Sequence, residues 1–129
     1  MYRVAVNSPS APEAIGPYSH SVRAKGELLF ISGQIPLDPT TGELVGSTAA
    51  EQARQCLENL AAIANDAAGS LGDAVKLTVY LTDIADFAEV NEVYATFFKT
   101  DPPARVALAV AALPKGAKVE IDAVVALGD

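Results

Sequence analysis

Between Pro103 and Val125 the chain holds two Val/Ala/Leu-rich runs separated by Pro114-Lys115-Gly116, and three charges stand inside those runs: Arg105, Glu120 and Asp122. Two apolar runs about a turn signal predict two neighbouring strands. Charges inside apolar strands are costly to bury unless they are paired or solvated, so this stretch restricts the fold more than any other. Side chains alternate between the faces of a strand. By size, Val106, Leu108 and Val110 form the core face of the first strand, which leaves Arg105 beside Ala107, Ala109 and Ala111. In the second strand Val119, Ile121, Ala123 and Val125 form the core face and Glu120 and Asp122 lie opposite. If both large-residue faces cover one core, the guanidinium and the carboxylates rise together over a floor of alanines. Such a surface is either a small-molecule pocket or an ordinary charged sheet face, and the stretch alone leaves both open.

Composition removes several classes of function. The chain has 129 residues, one of each of Cys56 and His20, no Trp, and 9 basic against 16 acidic residues for a net charge of −7. That length fits one domain, residues 1–129, able to bury a real core. An acidic balance without a Lys/Arg cluster argues against nucleic acid and anionic membranes as partners. A single cysteine forms no intramolecular disulfide, and one histidine cannot build a zinc site or a His-based triad, so no metal is expected. The first residues do not read as a signal peptide and no run reaches transmembrane length, which makes a soluble cytoplasmic protein the expectation. A charge-poor, Ala/Val-rich chain also hints that partner subunits cover some apolar surface.

Residues 7–18 carry three prolines and a glycine and read as an irregular lead-in. Ser21–Lys25 and Leu28–Ser32 read as strands about a Lys25-Gly26-Glu27 turn, the second ending at Ser32-Gly33-Gln34, where glycine permits close approach or a bulge. Thr48-Ala49-Ala50-Glu51 is a capping box, followed by Ala53, Cys56, Leu57, Leu60, Ile63, Ala64 and Ala67 at helical spacing and Gly69 as the stop. Val75, Leu77, Val79 and Leu81 alternate with polar residues as a strand. A second helix starts near Asp83 or Asp86 and ends by Lys99, with Ile84, Phe87, Val90, Tyr94, Phe97 and Phe98 on its inner stripe. Asn91 falls on that stripe as either a structural amide or a group that shapes a site. Two one-sided helices pack on one face of one sheet, and the other face is left open to self-association.

Several segments, in order and in register, resemble the RidA-like group of reactive-intermediate (enamine/imine) deaminases: Ala14-Ile15-Gly16-Pro17-Tyr18-Ser19-His20, Ser32-Gly33-Gln34-Ile35-Pro36, Gln52-Ala53-Arg54-Gln55, Val79-Tyr80-Leu81-Thr82-Asp83, Asn91, Tyr94, Pro103-Ala104-Arg105 and Val119-Glu120-Ile121. The resemblance implies an α+β, chorismate-mutase-like fold with a mixed sheet and two helices on one face, assembled as a homotrimer with clefts between subunits. It implies hydrolysis of 2-aminoacrylate- and 2-aminocrotonate-type 2-imino acids to 2-keto acids and ammonia, with no cofactor. By the same resemblance Arg105 binds the substrate carboxylate, Glu120 positions or activates water, and Tyr18 closes the cleft. Ser32, Gly33, Ala107 and Asn91 line or support the substrate-binding pocket.

Two departures stand out. Many members carry cysteine where this chain has Ala107, and some carry an acid near Ala109. Thiol-dependent behaviour is therefore not expected, and a less polar pocket favours bulkier or more apolar imines. Three other readings stay beside the deaminase: a trimeric module that only binds small carboxylates, a chaperone-like or RNA-cleaving protein, and a pathway-specific deaminase such as one acting on an aminomuconate-type intermediate. The acidic balance weighs against direct action on RNA.

Overall fold

The computed structural model describes residues Met1 to Asp129, and its elements follow the order β1 (Arg3–Val6), β2 (Ser21–Ala24), β3 (Glu27–Gln34), α1 (Ala49–Asp66), β4 (Ala74–Leu81), α2 (Phe87–Phe97), β5 (Ala104–Ala109) and β6 (Val119–Gly128). The architecture is α+β. Strands β3, β6, β4 and β5 lie side by side in that order, with β4 and β5 parallel and the other pairs antiparallel. Both helices pack on one face of this mixed sheet. Their buried residues Ala53, Cys56, Leu57, Leu60, Val90 and Tyr94 meet Leu77, Val79 and Leu81 of β4 and Val119, Ile121 and Val125 of β6. Each fully buried Leu, Ile or Val side chain stabilises the fold by about 1.5–3 kcal/mol, so this one layer carries most of the folding free energy.

The end signals of α1 work as read, with one exchange of roles. Thr48 caps α1 by accepting from the Glu51 backbone N–H at 3.1 Å, and the Glu51 carboxylate turns back to the Thr48 hydroxyl at 3.0 Å. At the other end the left-handed residue is Ala68, at φ 63°, not Gly69. The Ala68 and Gly69 N–H groups donate to Asn65 O and Ala64 O, closing the helix in a Schellman pattern. Gly69 is needed for space: a Cβ there would stand 2.5 Å from Leu127 Cδ2. Ile84, expected on the inner stripe of the second helix, is exposed in a 3₁₀ turn over Ile84–Asp86. Cys56 is fully buried, and burial pushes its thiol up to about 12.

Three expectations about the strands are corrected. The predicted strand over Ser21–Lys25 does not pair with β3. It pairs antiparallel with β1, a strand the sequence reading passed over, and the Arg3 side chain pins that hairpin by donating to Ala74 O at 2.7 and 2.9 Å and to Asp101 O at 2.9 Å. Nor are β5 and β6 neighbours. The unit β4–α2–β5 is a parallel crossover through a helix, so β5 settles on one flank of β4 and β6 returns on the other. Finally, β5 presents the opposite face from the one its side-chain sizes suggest. Arg105 and Ala107 pair with the buried Leu77 and Val79 on the helix side, while Val106 and Leu108 point to the open side at 44% and 36% exposure. Small residues are what this edge of the helix layer admits, because α2 and the lead-in segment approach it closely.

Candidate active site

Arg105 enters from the start of β5, under α2 and beside the lead-in segment, and its guanidinium is half-buried. Nη1 donates to Asn91 Oδ1 at 2.6 Å. Around the rest of the group stand three aromatic rings, with centroids 5.0 Å (Tyr94), 5.4 Å (Phe87) and 5.5 Å (Tyr18) from Cζ. Phe87, Asn91 and Tyr94 are spaced one helical turn apart, so α2 delivers two rings and an amide to a single spot. Burial lowers the pKa of Arg105, and the nearby ionisable groups are Tyr94 and Tyr18 rather than a carboxylate. Burial likewise raises the pKa of the Tyr94 phenol, which has no hydrogen-bond partner, so that ring remains neutral beneath the cation. A guanidinium has five N–H donors. Here one is committed within the protein, and the charge is desolvated without a counter-ion.

The lead-in wall is held by local bonds. Tyr18 N–H donates to Gly16 O at 2.9 Å, the Tyr18 hydroxyl accepts from Ile15 N–H at 3.3 Å, and Ser19 N–H ties the segment to Pro103 O at 3.2 Å. A side chain at Gly16 would press on Arg105, its Cβ lying 3.3 Å from Nη2. The one histidine organises this loop: His20 Nδ1 accepts from Ser8 N–H at 2.9 Å, and Nε2 lies 2.6 Å from Pro12 O, to which it donates. Ile15, Tyr18, Phe87, Asn91, Arg105 and Ala107 enclose a cleft of about 270 Å³. A larger hollow of about 670 Å³ lies against the lead-in and Pro102, but its charged lining is Glu13 and Asp101, which repel a carboxylate. The Arg105 cleft is the better candidate on charge.

Glu120 and Gly33 form a separate group, with the exposed Ser32 next to Gly33 in β3. Glu120 pairs opposite Tyr80, as does Leu108, which places all three on the open face of the sheet. The Glu120 carboxylate lies across Gly33, where even a Cβ would collide with it. Gly33 thus makes room for the carboxylate, beyond any backbone contact it offers a ligand. On the same face the Tyr80 hydroxyl donates to Asp122 at 3.1 Å, a bond that raises the phenol's pKa.

One chain therefore brings Tyr18, Asn91, Arg105 and Ala107 together and Gly33 and Glu120 together, on opposite faces of the sheet. The expected single surface bearing Arg105, Glu120 and Asp122 over alanines does not form. Its premise failed at β5, where the small residues, not the large ones, face the helices. The rings of Phe87 and Tyr94 were assigned to the core by their helical spacing, and their part in caging Arg105 was missed. The signal available was that both flank Asn91 on one stripe. No three His, Cys, Asp or Glu side chains gather closely enough to hold a metal ion.

A family model described as Endoribonuclease L-PSP matches residues 8–127. The chain belongs to this RidA-like family. It is 55% identical over 122 residues to the RutC family protein y4sK of Sinorhizobium fredii, covering 95% of this chain and 96% of that one. It is 46% identical over 128 residues to the 2-iminobutanoate/2-iminopropanoate deaminase of Homo sapiens, covering 99% and 93%. Among solved structures, E. coli TdcF with bound serine superimposes with a TM-score of 0.73 at 43% identity, covering 95% of this chain and 98% of that one.

Proposed function

We propose that this protein hydrolyses 2-enamine and 2-imino acids of the 2-aminoacrylate and 2-aminocrotonate type to 2-keto acids and ammonia, as a cytoplasmic homotrimer in which the whole chain acts as one unit. The observation that carries the reading is the Arg105 guanidinium, half-buried, ringed by aromatics and lacking a carboxylate partner. A planar fork with free N–H pairs matches a carboxylate bidentately and keeps its charge when desolvated. The human relative's name and the serine bound to TdcF support a small amino-acid-like ligand. The trimer supplies what one chain lacks. Phe30, at 73% exposure, with Leu28, Val106 and Leu108, leaves the open face apolar, which suits packing on a neighbour, and in the proposed trimer Glu120 of one subunit serves the Arg105 cleft of the next.

The chemistry follows from those two groups. Arg105 fixes the substrate carboxylate, which orients the adjacent C=N carbon. Water adds to the protonated imine carbon while Glu120 takes its proton and returns one to nitrogen. The carbinolamine C–N bond then breaks as Glu120 takes the hydroxyl proton and the C=O bond forms; the departing ammonia accepts that proton and leaves as ammonium, and Glu120 is again a carboxylate. No redox partner or metal is required by this sequence of proton transfers. The imine is already reactive, so orientation and charge stabilisation need lower the barrier only in part.

The test generates 2-iminobutanoate with a threonine dehydratase and follows 2-ketobutanoate in competition with semicarbazide. The wild-type protein raises the rate of keto-acid release, and Arg105→Ala abolishes the increase. No acceleration by wild-type protein, or equal acceleration by Arg105→Ala, rejects the deaminase. The separation of Arg105 from Glu120 in one chain favours, as the second reading, a module that only binds small carboxylates. Glu120→Ala separates the two, because a binder keeps its affinity and a deaminase loses turnover.

A further inference from the structure

Gln52 is 4% exposed on the inner side of α1, and both ends of its buried amide are engaged. Nε2 donates to Gly46 O at 3.1 Å, and Oε1 accepts from the Lys118 backbone N–H at 2.7 Å. A buried amide with donor and acceptor both satisfied holds its partners in one geometry, since breaking either bond leaves a desolvated polar group. The partner here is the peptide just before β6. Lys118 is further fixed from both directions: its carbonyl accepts from Thr82 N–H at 3.1 Å, and its Nζ donates to Ser47 O at 2.9 Å. Two residues on, Glu120 lies over Gly33 with no space for even a methyl group between them. The carboxylate thus has a floor at Gly33 and a strand entry set by Gln52, while its own side chain makes no hydrogen bond to the rest of the chain.

We propose that Gln52 is a positioning residue for Glu120: the amide latches the entry of β6 to α1 and so fixes where the carboxylate stands. This rests on the deaminase reading for its kinetic consequence, though not for its structural one. The Arg105 cleft shares no residue with the latch, since it is built by β5, α2 and the lead-in. Loosening the latch therefore impairs the group that moves protons and leaves the group that holds the carboxylate intact. Misplacing a catalytic group by about an ångström can cost on the order of a hundredfold in rate.

The experiment compares wild type with Gln52→Met, which keeps the unbranched shape and removes both hydrogen bonds, and with Gln52→Glu, which keeps an acceptor for Lys118. Turnover of 2-iminobutanoate is expected to fall about tenfold or more in Gln52→Met with KM within about twofold, and to be partly restored in Gln52→Glu. A fall in thermal stability with kcat per folded protein unchanged would mean a merely structural amide and overturn the proposal, as would a rise in KM alone. A second measurement does not depend on turnover: the Glu120 side-chain carboxyl is followed by carbon NMR. Its chemical shift should change in whichever variant folds, while the Arg105 side-chain signals stay in place. An unchanged Glu120 signal rejects the latch even if the wild-type protein proves not to be a deaminase. A changed Glu120 signal in a protein without activity keeps the latch and rejects only the deaminase.

Discussion

Asn91 supplies the one hydrogen bond that orients the Arg105 fork. A bond to a charged group contributes about 1.5–3 kcal/mol, so Asn91→Ala is expected to weaken binding of the substrate carboxylate by roughly ten- to a hundredfold. The change should read out as a higher KM, with thermal stability lowered less than by a core truncation. A KM equal to that of wild type would show that the three rings alone align the guanidinium. Arg105 itself was legible in the sequence, because a lone cation in an apolar strand demands an explanation. Its surroundings were not. Side-chain volume was used as a guide to burial, and at β5 that guide pointed to the wrong face, since alanine is what fits under a closely packed helix. The cage was hidden for the same reason: an aromatic at helical spacing reads as core whether it covers leucine or a cation.

Strand order is where the elements departed most from expectation. Pro114-Lys115-Gly116 does form a turn, with Lys115 and Gly116 at positive φ, yet the strands on either side of it are separated by β4. Turn chemistry announces that the chain reverses but not how far it travels. The better cue was the strand–helix–strand order before it, since a helical crossover is the usual way two neighbouring strands come to run parallel. Helix ends were more legible, with a testable exception at the close of α1. Ala68 occupies the left-handed position and Gly69 the tight one. Ala68→Gly is expected to stabilise the protein by about 0.5–1 kcal/mol, and Gly69→Ala to destabilise it by about 1 kcal/mol or more through the clash with Leu127. Chemical denaturation of the two variants checks this, and equal effects of the same sign would contradict the assignment.

At the scale of the molecule, fold class and family were readable from the chain, because helix stripes, strand alternation and motif segments spread along the chain agree over nearly its whole length. The position of Glu120 relative to Arg105 was not, since parity arguments require the strand order and the core face to be known first. The division of these groups between the two faces of the sheet has a genetic consequence. In the proposed trimer a cleft shared between neighbours would take Arg105 from one subunit and Glu120 from the other, so two inactive variants should repair one another. Arg105→Ala and Glu120→Ala chains, each inactive alone, should regain activity when unfolded together and reassembled. In an equal mixture about a quarter of the clefts would receive both intact groups, giving about a quarter of wild-type activity. A mixture as silent as its parents would place both groups within a single subunit's cleft.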